Sequence, residues 1–573
     1  MTRAPLPSLA SLPGVHLARH YRRQDLIPDL IAGIVLATML VPQGMAYAEL
    51  TGLPPVTGLY TTVAALIAYA VFGPSKILVL GPDSSLAPLI AAVVLPLAAG
   101  DEAMAVSLAA TLGVITGVVC ILAGVVRLGM ITELLSKPVR IGYLNGIAVI
   151  VFLSQLPKML GFSVEGEGVV ESVWQTIRRT LDGDARAAPL LIALGGLAVI
   201  VGFRKWVPRI PGVLIAAAGS IVVVWGFGLE RFGVSLVGAL PRGIPELSLP
   251  DLSPSTLLTL TIGAVGVALV SFADTGALST AFALRSGQRV DPNQEIQALG
   301  AANLLAGFFQ GFPTSASSSR TAVASAVGSR TQLTGVVAAA GVVTLLGFVP
   351  DLLAMLPSAT LAAIVVAASF ALFDREGVVW LWKVRRSEFL LSAGAFFAVV
   401  LIGVLEGIAV AVGLSIANFI RRAWRPYSTE LTRVDGLKGY HDVRRHPDGR
   451  RIPGLLLFRF DAPLFFANAA EFGRRLQAAL AERSDIQRVV VAAEPITDID
   501  TTGAEVMSML LDDLDRRGVT FAFAELKGPA KDRLRRYGLY DRIGSDHFYA
   551  TVGSAVRHHV DQSGVRWQDW EDR

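Results

Sequence analysis

Apolar residues in this chain arrive in long uncharged runs. Leu30 to Ala48, Ala103 to Val126, Ile210 to Leu229, Gln332 to Pro350 and Leu352 to Phe373 contain no charged side chain. Each approaches or exceeds the ~20 residues that an α-helix needs to cross a ~30 Å hydrocarbon core. Soluble core helices rarely repeat such lengths, so the pattern predicts a polytopic helical protein in a lipid bilayer. Fourteen segments are predicted, near 26–48, 57–72, 78–98, 103–126, 140–157, 188–203, 210–228, 256–284, 294–310, 315–329, 332–350, 357–373, 388–405 and 407–421. Beyond them charges become dense and segments short. Strands are predicted at Leu455–Phe460, Arg488–Ala492 and Thr520–Ala524, with amphipathic helices at Ala469–Arg483 and Thr502–Arg517. The chain therefore divides into a cytosolic tail (1–24), a transmembrane domain (25–423) and a cytosolic α/β domain (424–573).

Composition agrees, with 53% hydrophobic and 17% charged residues. The net charge of +4 is small and does not suggest nucleic acid. The single cysteine, Cys120, excludes a disulfide framework and a thiolate metal cluster. No nucleotide-binding glycine loop, metal cluster or catalytic triad is visible, so the chain reads as a non-enzyme without cofactor or metal. His441, His446, His547, His558 and His559 read as scattered surface residues. The first 25 residues lack the apolar core of a signal peptide. An even number of spans places both termini on one side. Loops on that side hold Lys76, Arg127, Lys137, Arg140, Arg204, Lys205, Arg209, Arg285, Arg289, Arg330, Arg375, Lys383, Arg385 and Arg386, whereas Lys158, Arg178, Arg179, Arg186, Arg231 and Arg242 are spread over longer opposite loops. The bias predicts cytosolic termini in a plasma membrane.

Fourteen segments make two sevens. Gly81-Pro82 interrupts the third segment and Ser84-Ser85 follow; Gly311-Phe312-Pro313-Thr314 interrupts the tenth and Ser315 to Ser319 follow. Matching breaks in two halves predict an inverted-repeat transporter whose half-helices meet at the midplane. A half-helix N-terminus offers free N–H groups and partial positive charge to an anion. Ser318, Ser319 and Thr321 add hydroxyls, and Arg320 adds a full charge inside the membrane domain, where an arginine marks either a functional site or a structural ion pair. Asp83 and Asp274 also lie at membrane depth. A desolvated carboxyl favours its neutral form and can carry a proton. The structural alternatives are a helix N-cap for Asp83 and a partner of Arg320 for Asp274. Gln43 and Tyr47, four apart, share a helix face that lines either a polar cavity or a helix contact.

These residues resemble the sulfate permease (SulP) family, which includes plant sulfate transporters, pendrin-like exchangers and prestin. The resemblance is carried by Val41-Pro42-Gln43-Gly44-Met45-Ala46-Tyr47-Ala48, by Pro55 to Tyr60, by Asp291-Pro292-Asn293-Gln294-Glu295 with Ala298 to Asn303, and by Ser318-Ser319-Arg320-Thr321-Ala322-Val323. The tail resembles a STAS domain, with Asp498-Ile499-Asp500-Thr501-Thr502-Gly503 as its loop before a helix. The resemblance implies seven-plus-seven inverted repeats split into core and gate, an elevator-like motion and a homodimer. It implies an anion site on Gln43, Tyr47, Asp83, Ser319 and Arg320, to which the hydroxyls at the half-helix starts add Ser84, Ser318 and Thr321 as expected substrate contacts, and a proton-coupling role for Asp274, where relatives often carry Glu. Thr501 and Thr502 stand where a regulatory serine would be modified or would meet a cytosolic partner; a helix N-cap is the plainer role. Thr57 replaces the usual aromatic, and Asp83 stands where many relatives are apolar, which favours proton coupling over simple chloride or bicarbonate exchange.

The leading expectation is proton-coupled sulfate uptake. A dicarboxylate or bicarbonate carrier on the same scaffold is the alternative within transport, and a membrane sensor signalling through its STAS domain is the alternative outside it. A nucleobase carrier fits less well, because Arg320 and the tail favour an anion.

Overall fold

The computed structural model describes residues 13–129, 136–164, 169–207, 210–249, 253–286 and 290–572. The first twelve residues of the predicted tail, together with Arg209 and Arg289, lie outside them. Packing divides the chain into two compact units that meet between Ser415 and Ile416.

Each predicted segment contains a helix. The first unit runs α1 (Leu26–Leu50), α2 (Pro55–Phe72), β1 (Leu80–Gly81), α3 (Ala87–Ala98), α4 (Glu102–Val125), α5 (Lys137–Leu160), α6 (Val169–Leu181), α7 (Ala187–Trp206), α8 (Gly212–Phe227), α9 (Pro254–Ser286) and α10 (Pro292–Phe308). There follow β2 (Ser315–Ala316), α11 (Ser318–Val327), α12 (Leu333–Phe348), α13 (Ser358–Leu372), α14 (Arg386–Leu401) and α15 (Val404–Trp424), the last crossing the division. Among the described residues, seven helices are long and apolar enough to cross a membrane, and three further apolar helices are shorter. Helix α6, between two predicted segments, was not anticipated.

Helices suit this solvent because all their backbone polar groups pair internally. They form two packed groups. In one, α4 lies along α10, α2 along α10 and α1, and α12 along α1 and α2, with α9 and α3 against α4. In the other, α5 packs on α13 and α14, and α7 on α13 and α8. Contact between α1 and α2 is so close that a Cβ at Gly58 would overlap the Gly44 carbonyl. Glycine at this crossing lets two backbones touch, which explains the glycines in the first two motifs.

The two breaks meet. Strands β1 and β2 pair antiparallel, Leu80 opposite Ala316 and Gly81 opposite Ser315. Each leads into a half-helix, α3 or α11. Irregular backbone at such depth must find partners, and side chains supply them. Asn303 accepts from the Thr314 N–H at 2.8 Å, Thr61 from the Phe312 N–H at 3.0 Å, and Thr275 from the Ala316 N–H at 3.2 Å.

The second unit contains a six-stranded sheet of order β4-β3-β5-β6-β7-β8. Its strands are β3 (Ser428–Arg433), β4 (Tyr440–Asp442), β5 (Leu455–Phe460), β6 (Arg488–Ala492), β7 (Thr520–Ala524) and β8 (Phe548–Tyr549). Strands β5 to β8 are parallel, and β3 is antiparallel to both its neighbours. Helices α16 (Ala469–Ala481), α17 (Thr501–Arg516), α18 (Gly528–Arg536) and α19 (Val552–Ser563) complete it. The three predicted strands and both predicted helices are present. The β3–β4 hairpin and β8 were not anticipated, being short and lacking clear alternation. His559 is a correction: it is buried, and its Nε2 lies 2.9 Å from the Pro453 carbonyl oxygen.

Candidate functional site

Arg320 is the third residue of α11, and its side chain is fully buried. None of its three guanidinium nitrogens has a hydrogen-bond partner. A buried charge left this way is costly, so the position is set up for a partner. The nearest carboxylate is Asp83, whose Oδ2 lies 3.8 Å from Arg320 Nη2. That separation gives Coulomb attraction but exceeds hydrogen-bond range. The β1–β2 pairing brings the two together, and the missing side chain of Gly81 makes room: a Cβ there would sit 2.9 Å from Arg320 Nη1.

Asp83 is not a helix N-cap. Helix α3 begins four residues later, after Leu86, which makes no side-chain cap. Asp83 Oδ1 instead accepts from the Ser85 N–H at 3.0 Å and from the Ser85 hydroxyl at 2.8 Å, a local turn. Asp274 is not the ion-pair partner of Arg320 either. Its Oδ2 lies 2.9 Å from the same Ser85 hydroxyl. Ser85 thus stands between two carboxyls, one on the break and one on α9. A hydroxyl carries one hydrogen and can donate to only one of them. The second contact is fully satisfied only when the other carboxyl itself donates.

Tyr47, on α1, lies beside Ser84 and feels the charges of Asp83 and Arg320. Gln43, one turn earlier, is buried on the same helix. Ser318 and Ser319 are exposed at the first turn of α11, whose N-cap Ser317 makes no side-chain cap, and Ser319 Oγ is 3.3 Å from Ser317 Oγ. Thr321 is placed differently from the other hydroxyls. It accepts from the Val79 N–H at 3.1 Å and so ties α11 to the approach of β1. Sequence reasoning assigned no role to Ser85 or to Tyr143, whose buried hydroxyl has no partner and which feels the charges of Asp274 and Asp83. The hydroxyl-rich start of the half-helix was the only local signal for Ser85. Glu295, in the third motif, is buried and accepts from the Tyr69 and Ser279 hydroxyls.

In the second unit, Asp500 caps α17 by accepting from the Gly503 N–H at 2.7 Å. Thr501 and Thr502 are therefore first-turn residues and not the cap; Thr501 is exposed.

Comparison with known proteins fits this geometry. A protein of Mycobacterium tuberculosis strain H37Rv named as a probable sulfate transporter is 40% identical over 559 residues, covering 96% of this chain and 99% of the relative. Sulfate transporter 3.1 of Arabidopsis thaliana is 30% identical over 570 residues, covering 95% and 86%. Murine Slc26a9, an anion transporter solved in the inward-facing state, shares the fold with a TM-score of 0.88 at 21% identity, over 97% of this chain and 96% of that one. The transmembrane domain of the cyanobacterial bicarbonate transporter BicA superposes with a TM-score of 0.61 at 22% identity, over 69% and 98%. Residues 446–555 match the STAS domain, and residues 26–395 match the sulfate permease family: this multi-pass membrane protein belongs to that family of transporters.

Proposed function

We propose that this protein is a secondary active anion transporter that takes up sulfate together with protons. The observation that carries the reading is Arg320, a buried guanidinium without a hydrogen-bond partner at the start of a half-helix that faces a second one. A tetrahedral dianion supplies several oxygens to meet that fork and the free first-turn N–H groups of α11. Gln43, Tyr47, Ser84, Ser318 and Ser319 would complete the shell. The sulfate relatives support this choice of anion over dicarboxylate or bicarbonate.

Coupling follows from competition. Asp83 sits where its charge attracts Arg320 and repels an incoming anion. A proton accepted by the Asp83–Ser85–Asp274 trio neutralises that repulsion and releases the guanidinium. Protonation and anion binding then strengthen one another by linkage. The site rides on the helix group containing α3, α9 and α11, and an elevator movement of that group against the α5–α14 group would carry anion and proton across. Fourteen spans, cytosolic termini in the plasma membrane and a homodimer complete the proposal. The STAS unit is regulatory in this reading, with exposed Thr501 open to modification or to a cytosolic partner.

The test is uptake of radioactive sulfate into proteoliposomes, with and without an inward proton gradient and against competing oxalate, bicarbonate and chloride. Sulfate accumulation driven by the gradient supports the proposal. Accumulation indifferent to the gradient removes the coupling, and preference for a competitor removes sulfate.

A further inference from the structure

Glu49 is the penultimate residue of α1, two beyond Tyr47, and Lys158 stands in the last turn of α5. Lys158 Nζ lies 3.3 Å from Glu49 Oε2 and donates at 3.3 Å to the Glu49 backbone carbonyl. One ammonium thus meets a carboxylate and a carbonyl at the end of α1 where the helix dipole is negative. The Glu49 carboxyl also lies beside the side chain of Ser358, the first residue of α13, and a helix N-terminus favours an anion. Glu49 therefore reaches partners on both α5 and α13.

These contacts cross a boundary. Helix α1 packs on α2, α11 and α12, in the helix group that carries Arg320, whereas α5 and α13 pack on one another in the second group. Glu49–Lys158 is the one ion pair among the described residues that joins a helix of the first group to a helix of the second. It is tied to the site by a stiff turn. Thr51 donates its hydroxyl to the Ala48 carbonyl at 2.6 Å and its N–H to the Tyr47 carbonyl at 3.0 Å, so Glu49 and Tyr47 move together.

The surroundings suit a contact that is made and broken. The pair lines a crevice of about 420 Å³ with Gly52, Leu53, Asp101 and Glu102. The Lys158 side chain is 33% exposed and that of Glu49 13%. A fully exposed pair contributes little, and a fully buried one resists separation because each charge is left uncompensated. At the rim of a crevice, each charge meets water when the pair opens.

We infer that Glu49, Lys158 and Ser358 form a latch between the two helix groups, closed in this structure, whose opening frees one group to slide along the other. Its place in transport rests on the elevator reading above: in the proposed orientation the last turn of α1 lies on the outer side, and the closed latch keeps the site shut from that side.

The test reads distances in the full chain in vesicles of phosphatidylcholine and phosphatidylglycerol. Cys120, the only cysteine, is replaced by alanine. Nitroxides are placed at Ala103→Cys on α4 and Ala187→Cys on α7, both exposed, and labelled chains are diluted with unlabelled ones so that only distances within one chain are read. Glu49→Gln and Lys158→Met should each raise a second distance population relative to the first by about 10-fold, the lower end of what losing one charge-assisted hydrogen bond does to an equilibrium. The double variant should add nothing to either single one, and Lys158→Arg should keep the wild-type ratio. An unchanged distribution, additive effects of the two substitutions, or Lys158→Arg behaving as Lys158→Met overturns the latch. One reading needs no substitution in the latch itself. Concentrated potassium chloride screens a part-exposed pair and should raise the second population in the wild-type sequence while leaving Glu49→Gln unmoved; an equal response in both refutes the latch. Distances respond to the latch whatever anion is carried. A chain that shows these shifts but takes up no sulfate keeps the latch and loses the proposed function.

Discussion

Arg320 and Asp83 face each other at 3.8 Å without a hydrogen bond, an ion pair held slightly apart between two half-helices. At hydrogen-bond distance the carboxylate would satisfy the guanidinium and leave it little use for a substrate. Held further off, it stabilises the buried charge through space while leaving the fork's donors free.

Arg320→Ala should therefore cost most of the anion affinity while the protein still reaches the membrane. Losing one charge-assisted contact is worth roughly 1.5–3 kcal/mol, about 10- to 150-fold in dissociation constant. Arg320→Lys should recover only part, since an ammonium lacks the planar fork. Equilibrium binding of radioactive sulfate to the purified variants decides it; a folded alanine variant with wild-type affinity removes Arg320 from the site.

Asp83→Asn is expected to act in the opposite direction. It removes the competing charge, so sulfate should bind more tightly at neutral pH, and lowering the pH should no longer improve binding. Weaker binding at neutral pH, with the fold intact, would mean that Asp83 assists the anion and does not compete with it.

Asp274→Asn should flatten the rise of uptake with falling external pH. Asparagine keeps the shape but cannot release a proton. Ser85→Ala should alter the same pH profile without removing either carboxyl, because the shared hydroxyl that links them is gone. Uptake profiles across pH in proteoliposomes compare the variants. Full concentrative, pH-dependent uptake by Asp274→Asn would show that it is structural and that the proton travels elsewhere.

The C-terminal strap of the STAS unit should be released by acid. Arg433 is buried and donates to both oxygens of Asp569, to the carbonyls of Leu437 and Gly439, and pairs with Glu571 at 3.1 Å. Burial pushes the Asp569 carboxyl up, but the hydrogen bonds from Arg433 and from the Glu571 N–H outweigh it and hold the carboxyl below its ordinary value. A carboxyl with a depressed folded value stabilises the fold above its unfolded value near ~3.9, and that contribution is lost as pH falls through the folded value. Residues 567–572 should thus become protease-sensitive below about pH 4. Arg433→Ala should expose them already at neutral pH, at a cost of about 1.5–3 kcal/mol. Mass spectrometry after limited proteolysis of the full chain reads both; equal protection in variant and wild type would mean that other contacts hold the strap.

Much of this protein is written in local pattern. Helix positions follow from run length against bilayer thickness, both breaks from a glycine and a proline close together, and the buried setting of Arg320 from its charge in an apolar segment, because each depends on neighbouring residues and the solvent around them. The STAS strands at 455–460, 488–492 and 520–524 were legible for the same reason. What each group touches was not. Asp274 lies 189 residues from Ser85, and only the meeting of α3 with α9 showed that it shares a hydroxyl with Asp83 and does not pair with Arg320. The cap of α17 fell to Asp500, because backbone direction decides which of several adjacent oxygens reaches the Gly503 N–H. Helix α6 escaped altogether, because its short amphipathic repeat lies between two long apolar runs, and packing alone decides that Thr176 turns inward while Val170, Trp174, Ile177 and Leu181 stay exposed.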